Sequence, residues 1–422
     1  MTPVDRVIYF FTPYTDSSER AVGRFFKGLN ERKWHSRTRS RLLKLLQSNI
    51  AVINLWTEYR YKGYRYLRKA ERRKLYDNLR LISDDFDRFY IAHARPAESV
   101  MLHIQGLAPH VAIGPERVVL LQALCDYFAP GRGVYVYRDS SSFGRLLRDP
   151  ARDTLVGDCN QIVTLYVYLY SRYFDVRDLQ IRRLPEHVAL HCGGVDIETT
   201  SGTFANYGDR KGSALLPIEE IVSINLLDTT DAYLSRHEIT PEDFLYASRL
   251  AFVLSHDRDI ARHNLTVAYR KLVNALMAQG SYRKALAFAR SSSDLKLLGV
   301  VGNNGAVHAM ERQKFAEARR FAKYAPDRDR LVQNSWRNEG IYLYEAHRYK
   351  DAIKAFEQSG SRGLVRKCYE ALFFEEQDKL GSTFTAETIK KNSGTIKRMR
   401  AYAKKSGNKK LATYASDLQR HV

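Results

Sequence analysis

Three kinds of side chain needed for thiol acyl transfer occur in order between positions 157 and 200. Cys159 lies in Gly157-Asp158-Cys159-Asn160-Gln161, and His187 follows in Pro185-Glu186-His187. Two carboxylates follow in Asp196-Ile197-Glu198-Thr199-Thr200. A cysteine nucleophile needs an imidazole to take and return its proton, and that imidazole needs an acid to orient it. Each residue also has a plain structural reading. A lone cysteine on an apolar helix is most often core packing, as is expected for Cys125 and Cys368.

The elements that must position these groups are legible nearby. Residues Asn160 to Tyr170 are apolar at almost every position, which predicts a helix buried all round. Asp158 is a good N-cap and Gly157 permits a sharp entry, so Cys159 falls in the first turn, where the helix dipole favours a thiolate. Glu186 to Cys192 and Val195 to Thr200 read as strands joined by the hairpin signal Gly193-Gly194. In that register Cys192 opposes Val195, His191 opposes Asp196, Ala189 opposes Glu198 and His187 opposes Thr200. Alternation then puts His187 and His191 on one face with Asp196, Glu198 and Thr200, and Cys192 on the other. Glu198 lies diagonal to His187 and Asp196 lies nearer His191, and register alone leaves both pairings open.

Zinc is a poor fit to these residues. Along a strand, His187 and His191 stand about 13 Å apart at roughly 3.3 Å per residue, too far to share one ion at about 2 Å from each nitrogen. No metal or other cofactor is expected.

The three motifs resemble those of the transglutaminase-like superfamily, rearranged relatives of papain-like thiol enzymes, over roughly residues 113–235. The resemblance is closest to members in which such a core precedes tetratricopeptide repeats. It implies Cys159 as nucleophile, His187 as base and Glu198 as orienting acid, with Asp196 as the fallback. It also implies an α+β core in which a central helix packs on an antiparallel sheet. Val188 stands where the family often has an aromatic residue. The Cys159 N–H would supply one oxyanion donor, and no second donor stands out.

The rest of the chain surrounds this core. Leu42, Leu46, Ile50 and Ile53, and then Leu75, Leu79, Ile82, Phe86 and Phe89, recur at helical spacing. Residues 1–112 therefore read as a basic helical region, and a further helix is expected over Glu116–Phe128. Downstream, Tyr282, Phe315 and Tyr349 recur at intervals of 33 and 34, as do Ala285, Ala318 and Ala352. That is the period of tetratricopeptide helix pairs, in which small residues allow close approach and aromatics fill the groove. The expected organisation is the core at 113–235, a helical connector at 236–263, a C-terminal all-α tetratricopeptide solenoid at 264–375, and a basic helical cap at 376–422.

Composition narrows the class. The 422 residues carry a formal charge of +21 and only four cysteines, without paired spacing. Such cysteine usage suits a reducing compartment, so a cytoplasmic location is expected. No membrane span is expected, since no apolar run approaches 18 residues. The run Val7–Phe11 also lacks the flanks of a leader peptide. Basic residues interleave with tyrosines from Tyr59 to Lys74, and lysine pairs crowd the C-terminus, patterns that suit nucleic acid or another polyanion.

Two functions follow. The first is a cysteine-dependent acyl-transfer enzyme (peptidase, deamidase or transglutaminase-type) acting on a protein substrate, an acidic segment docked by the repeats. The second keeps the fold without catalysis, as a scaffold that binds protein partners and RNA through its repeats and basic termini.

Overall fold

The computed structural model describes residues 2–30, 34–139, 142–208, 210–228, 239–381 and 386–420. It is a mixed α+β chain that divides into two units, Met1–Lys271 and Leu272–Val422.

In the first unit the apolar stripes become helices: α1 (Pro3–Phe11), α2 (Ser17–Lys27), α3 (Ser36–Tyr61), α4 (Lys69–His93), α5 (Ala97–Leu107) and α6 (Pro115–Phe128). Helix α4 buries Leu75, Leu79, Ile82, Phe86 and Phe89, the expected face. Helix α3 bends at Asn49, whose backbone is extended and whose Oδ1 accepts from Val52 N at 3.2 Å, so the second half starts with its own cap. A fully buried ion pair, Arg72 with Glu19, ties α4 to α2, and Tyr76 Oη donates to the same carboxylate at 2.9 Å.

Two short strands follow, β1 (Tyr135–Tyr137) and β2 (Leu155–Gly157), paired in parallel. Helix α7 (Cys159–Ser171) comes directly after β2 and is buried at nearly every position, as its continuous apolar run requires. Strands β3 (Leu179–Leu184), β4 (His187–Cys192), β5 (Val195–Glu198), β6 (Thr203–Ala205) and β7 (Ala214–Pro217) form one antiparallel sheet in the order β6-β5-β4-β3-β7. Helices α8 (Glu220–Leu227), α9 (Pro241–Leu254) and α10 (Arg258–Ala278) follow.

Residues 1–112 fall in the same compact unit as the sheet and α7. Helix α3 lies along α7: Asn54 reaches Thr164 Oγ1, and the Gln47 amide donates to the Ser171 carbonyl at 2.8 Å. The expected boundary at 235/236 lies outside the described residues.

The basic tyrosine stretch is buried in part. Tyr61, Tyr64, Lys62 and Arg72 are all inside, with Tyr61 stacked on Tyr246 and the Arg72 guanidinium over the Tyr59 ring. These side chains pack the core, whereas Arg60, Arg65, Tyr66, Arg68 and Lys74 of the same stretch are exposed.

The hairpin between β4 and β5 has the expected register, His191 opposite Asp196 and Cys192 opposite Val195, but the ladder ends at Leu190 opposite Ile197. The rungs expected at Ala189–Glu198 and His187–Thr200 are absent; β5 ends at Glu198, which pairs on its other side. Residues 199–202 turn there into β6, where Glu198 opposes Thr203.

The second unit is helical: α11 (Tyr282–Ser291), α12 (Leu295–Glu311), α13 (Phe315–Ala322), α14 (Arg328–Glu345), α15 (Tyr349–Gln358), α16 (Arg362–Asp378), α17 (Ala386–Lys391), α18 (Ser393–Ser406) and α19 (Lys409–Arg420). The recurring aromatics open the short helices α11, α13 and α15, and Ala285, Ala318 and Ala352 are fully buried on them. The same closing hydrogen bond precedes each: Ser281 N to Leu276 O, Lys314 N to Ala309 O and Arg348 N to Leu343 O. Close approach recurs too. A Cβ on Gly305 would meet the Phe321 ring at 2.6 Å, and one on Gly340 would meet the Phe356 ring at 2.5 Å.

Among the described residues no helix is long and apolar enough to cross a membrane.

The turn after β5 rests on one glycine. Gly202 has φ +63°, and an added Cβ would sit 2.3 Å from the Cys125 carbonyl oxygen, a backbone atom that cannot swing away. Gly202→Ala should therefore cost about 2–5 kcal/mol, combining left-handed strain with overpacking. Chemical denaturation checks this through a lowered midpoint, and an unchanged midpoint would contradict it.

Candidate active site

Asp158 determines where α7 begins. Its side chain accepts from Asn160 N at 3.0 Å and Gln161 N at 3.3 Å, while Gln161 Oε1 accepts from Asp158 N at 3.3 Å. This reciprocal cap fixes the first turn and leaves the Cys159 N–H, at the first helical position, without a hydrogen-bond partner among the described residues. Gly157 admits the arrangement because a Cβ there would press on Gln161 Oε1 at 2.7 Å.

His187 is positioned from the other side. Pro185 and Glu186 form the two-residue turn between β3 and β4, with Leu184 opposite His187. Glu186 has φ +55°, so the strand expected to begin there begins one residue later, at the histidine. A proline followed by a left-handed residue is the chemistry of a tight turn. It delivers His187 as the first residue of β4.

The structure brings the three groups together. His187 Nε2 bonds Glu198 Oε2 at 2.7 Å, and Cys159 lies close enough to His187 to raise its imidazole. Glu198 is the carboxylate that reaches His187, despite sitting beyond the last rung, because its longer side chain spans the diagonal. Its Oε1 accepts from Thr200 N at 3.1 Å and from the Thr200 hydroxyl. Its Oε2 also accepts from Tyr207 Oη at 2.5 Å.

The fallback acid, Asp196, is not brought to His187. Its Oδ1 takes His191 Nδ1 at 2.8 Å and Arg182 Nε at 2.9 Å, and its Oδ2 takes Tyr207 N at 2.8 Å. The second nitrogen of His191 faces Gly194 N at 3.3 Å. This second His–carboxylate pair is closed on all sides and has no thiol.

The electrostatics reinforce the geometry. The hydrogen bond to Cys159, and then that to Glu198, push His187 up to about 10. Burial raises the Glu198 carboxyl, but the bonds from His187, Thr200 and Tyr207 outweigh it and hold the group at about 2. His187 therefore contributes stability that is full below its ordinary 6.5 and is lost as pH rises through about 10. Glu198 contributes stability that is full above 4.5 and is lost as pH falls through about 2. Burial pushes Cys192 up to about 12 and Cys368 up to about 11, and raises Cys125 as well.

Exposure is graded across the site. Cys159 is 8% exposed, the Glu198 side chain 13% and the His187 side chain 28%. Tyr137, half exposed on β1 opposite Gly157, is close enough for the Cys159 charge to help raise its phenol, after burial and Asp139, to about 12.

Sequence reasoning missed Tyr207. It lies nine positions after Glu198 and reaches the carboxylate only because the β5–β6 hairpin folds it back, so no local spacing marks it. Among the described residues, no three His, Cys, Asp or Glu side chains converge as a metal site. Comparison with protein-family models and with curated proteins finds no match for this chain.

Tyr207→Phe removes one donor from Glu198 while keeping the ring and the backbone bond to Asp196. The Glu198 carboxyl should rise and the His187 imidazole should titrate below its parent value. Heteronuclear NMR of the His187 ring nitrogens reads this directly, and identical titrations in parent and variant would show that the phenol does not tune the site.

Proposed function

We propose that this chain is a cysteine-dependent acyl-transfer enzyme with a transglutaminase-like core and a tetratricopeptide array. The observation that carries the proposal is the His187–Glu198 hydrogen bond at 2.7 Å, with Cys159 at a capped helix start close enough to raise the imidazole.

In this mechanism Cys159 Sγ attacks the carbonyl carbon of a carboxamide or peptide bond, forming a C–S bond. The developing oxyanion takes the Cys159 N–H, aided by the positive end of α7. His187, protonated, gives its proton to the leaving nitrogen as the C–N bond breaks, and a thioester remains. Water or an amine then attacks the thioester, His187 takes a proton from it, and the thiolate leaves. Glu198 stabilises the imidazolium and holds its ring in plane throughout. Tyr207 acts through Glu198 and is a positioning residue.

The repeating 33- and 34-residue helix pairs, with their buried alanines and repeated closing bonds, support the tetratricopeptide reading of the second unit. Such arrays bind segments of other proteins, and the basic character of this chain favours an acidic substrate segment. All four cysteines are unpaired thiols, which supports residence in a reducing compartment.

A p-nitrophenyl ester tests the reaction without knowledge of the natural substrate. It should give a burst of nitrophenolate and a matching acyl mass increment on Cys159. Cys159→Ala should give neither, and His187→Ala should slow turnover by about 10²–10⁴-fold. Acylation that ignores both substitutions would overturn the assignment.

A further inference from the structure

A cavity of about 350 Å³ opens in the second unit between the start of α11, the end of α12 and the face of α13. Four cations converge on it: Arg283 and Lys284 from α11, Arg312 from the end of α12, and Lys314 just before α13. One carboxylate, Glu317, shares the lining, and its charge is engaged by Arg283 at 2.5 Å. Lys284, Arg312 and Lys314 form no ion pair among the described residues. The remaining wall includes Phe321 and the Tyr282 ring against the His308 imidazole, with centroids 4.6 Å apart.

Four exposed cations around one concavity repel one another, and the one lining carboxylate, Glu317, offsets them only in part. A bound anion would reverse the sign of that interaction. Guanidinium groups form paired hydrogen bonds with phosphoryl oxygens, and lysines add point charges around them. The volume lies at the small end of the range for ligand pockets, the scale of a phosphomonoester. The aromatic wall suits the carbon portion of such a molecule.

We propose that this cavity binds a phosphoryl group. The group would be held by Arg312 and Lys314 with help from Lys284, while Arg283 is kept in place by Glu317. This site is separate from the thiol centre and does not depend on its chemistry.

Isothermal titration of the full chain at constant ionic strength tests the proposal with three probes: free phosphoserine, a short phosphoserine peptide with neutral flanks, and the same peptide carrying glutamate. Phosphoserine or its peptide should bind saturably, and Arg312→Ala combined with Lys314→Ala should weaken binding about tenfold or more. Both side chains are exposed, so the variant should keep the parent's melting temperature. Lys284→Ala provides a second variant with a smaller loss. Equal affinity for the free amino acid and the peptide would identify a small-molecule source, and tighter peptide binding a protein source. No saturable binding, equal binding by the variants, or glutamate peptide bound as tightly as phosphoserine peptide would each overturn the proposal.

Discussion

His187 is flanked by two groups that act in the same electrostatic direction, Glu198 Oε2, which it bonds at 2.7 Å, and the Cys159 side chain. Both favour the charged imidazole, and the surrounding elements are arranged to keep both in place. The Pro185–Glu186 turn starts β4 at the histidine, Asp158 starts α7 at the cysteine, and the turn after β5 brings Thr200 onto the carboxylate. Glu198 could not remain ionised in this half-buried position with one partner, because desolvation alone raises its pKa. Three further donor contacts, from the Thr200 amide and hydroxyl and from the Tyr207 phenol, offset that penalty.

The neighbouring His191–Asp196 pair shows how the same residue types can be given a different role. It sits on the same strands at similar distances, but Arg182 neutralises the carboxylate and the Gly194 amide occupies the outer ring nitrogen. Nothing reactive can approach it. Tyr207 links the two pairs, its backbone amide on Asp196 and its hydroxyl on Glu198. The closed pair therefore anchors the residue that tunes the open one.

Much of this was legible in the sequence, for identifiable reasons. The helix start at Cys159 follows from Asp158 and the apolar run, and the hairpin register follows from Gly193-Gly194 and strict alternation. The choice of Glu198 over Asp196 was not fixed by register, because both acids share a face. Side-chain length and the competing claim of Arg182 settle the pairing in the structure. Tyr207 was invisible because its contact depends on where β6 turns. In the stretch from Tyr59 to Lys74 the alternation of cations and tyrosines did not show which side chains, Tyr61, Lys62, Tyr64 and Arg72, are buried by helices distant in sequence. In the second unit the aromatic and alanine periods were plain, but the Gly305–Phe321 and Gly340–Phe356 contacts needed coordinates.

The most direct test of the account is site-resolved alkylation of Cys159 by iodoacetamide across pH, compared between the parent and His187→Ala. A thiol paired with a charged imidazole should react rapidly at pH 6 with a rate that changes little up to pH 8. In the variant the rate should fall at pH 6 and climb toward the ordinary cysteine midpoint of about 8.5. Slow labelling at pH 6 with the same profile in both proteins would show that the Cys159–His187–Glu198 chain is structural and not a working nucleophile.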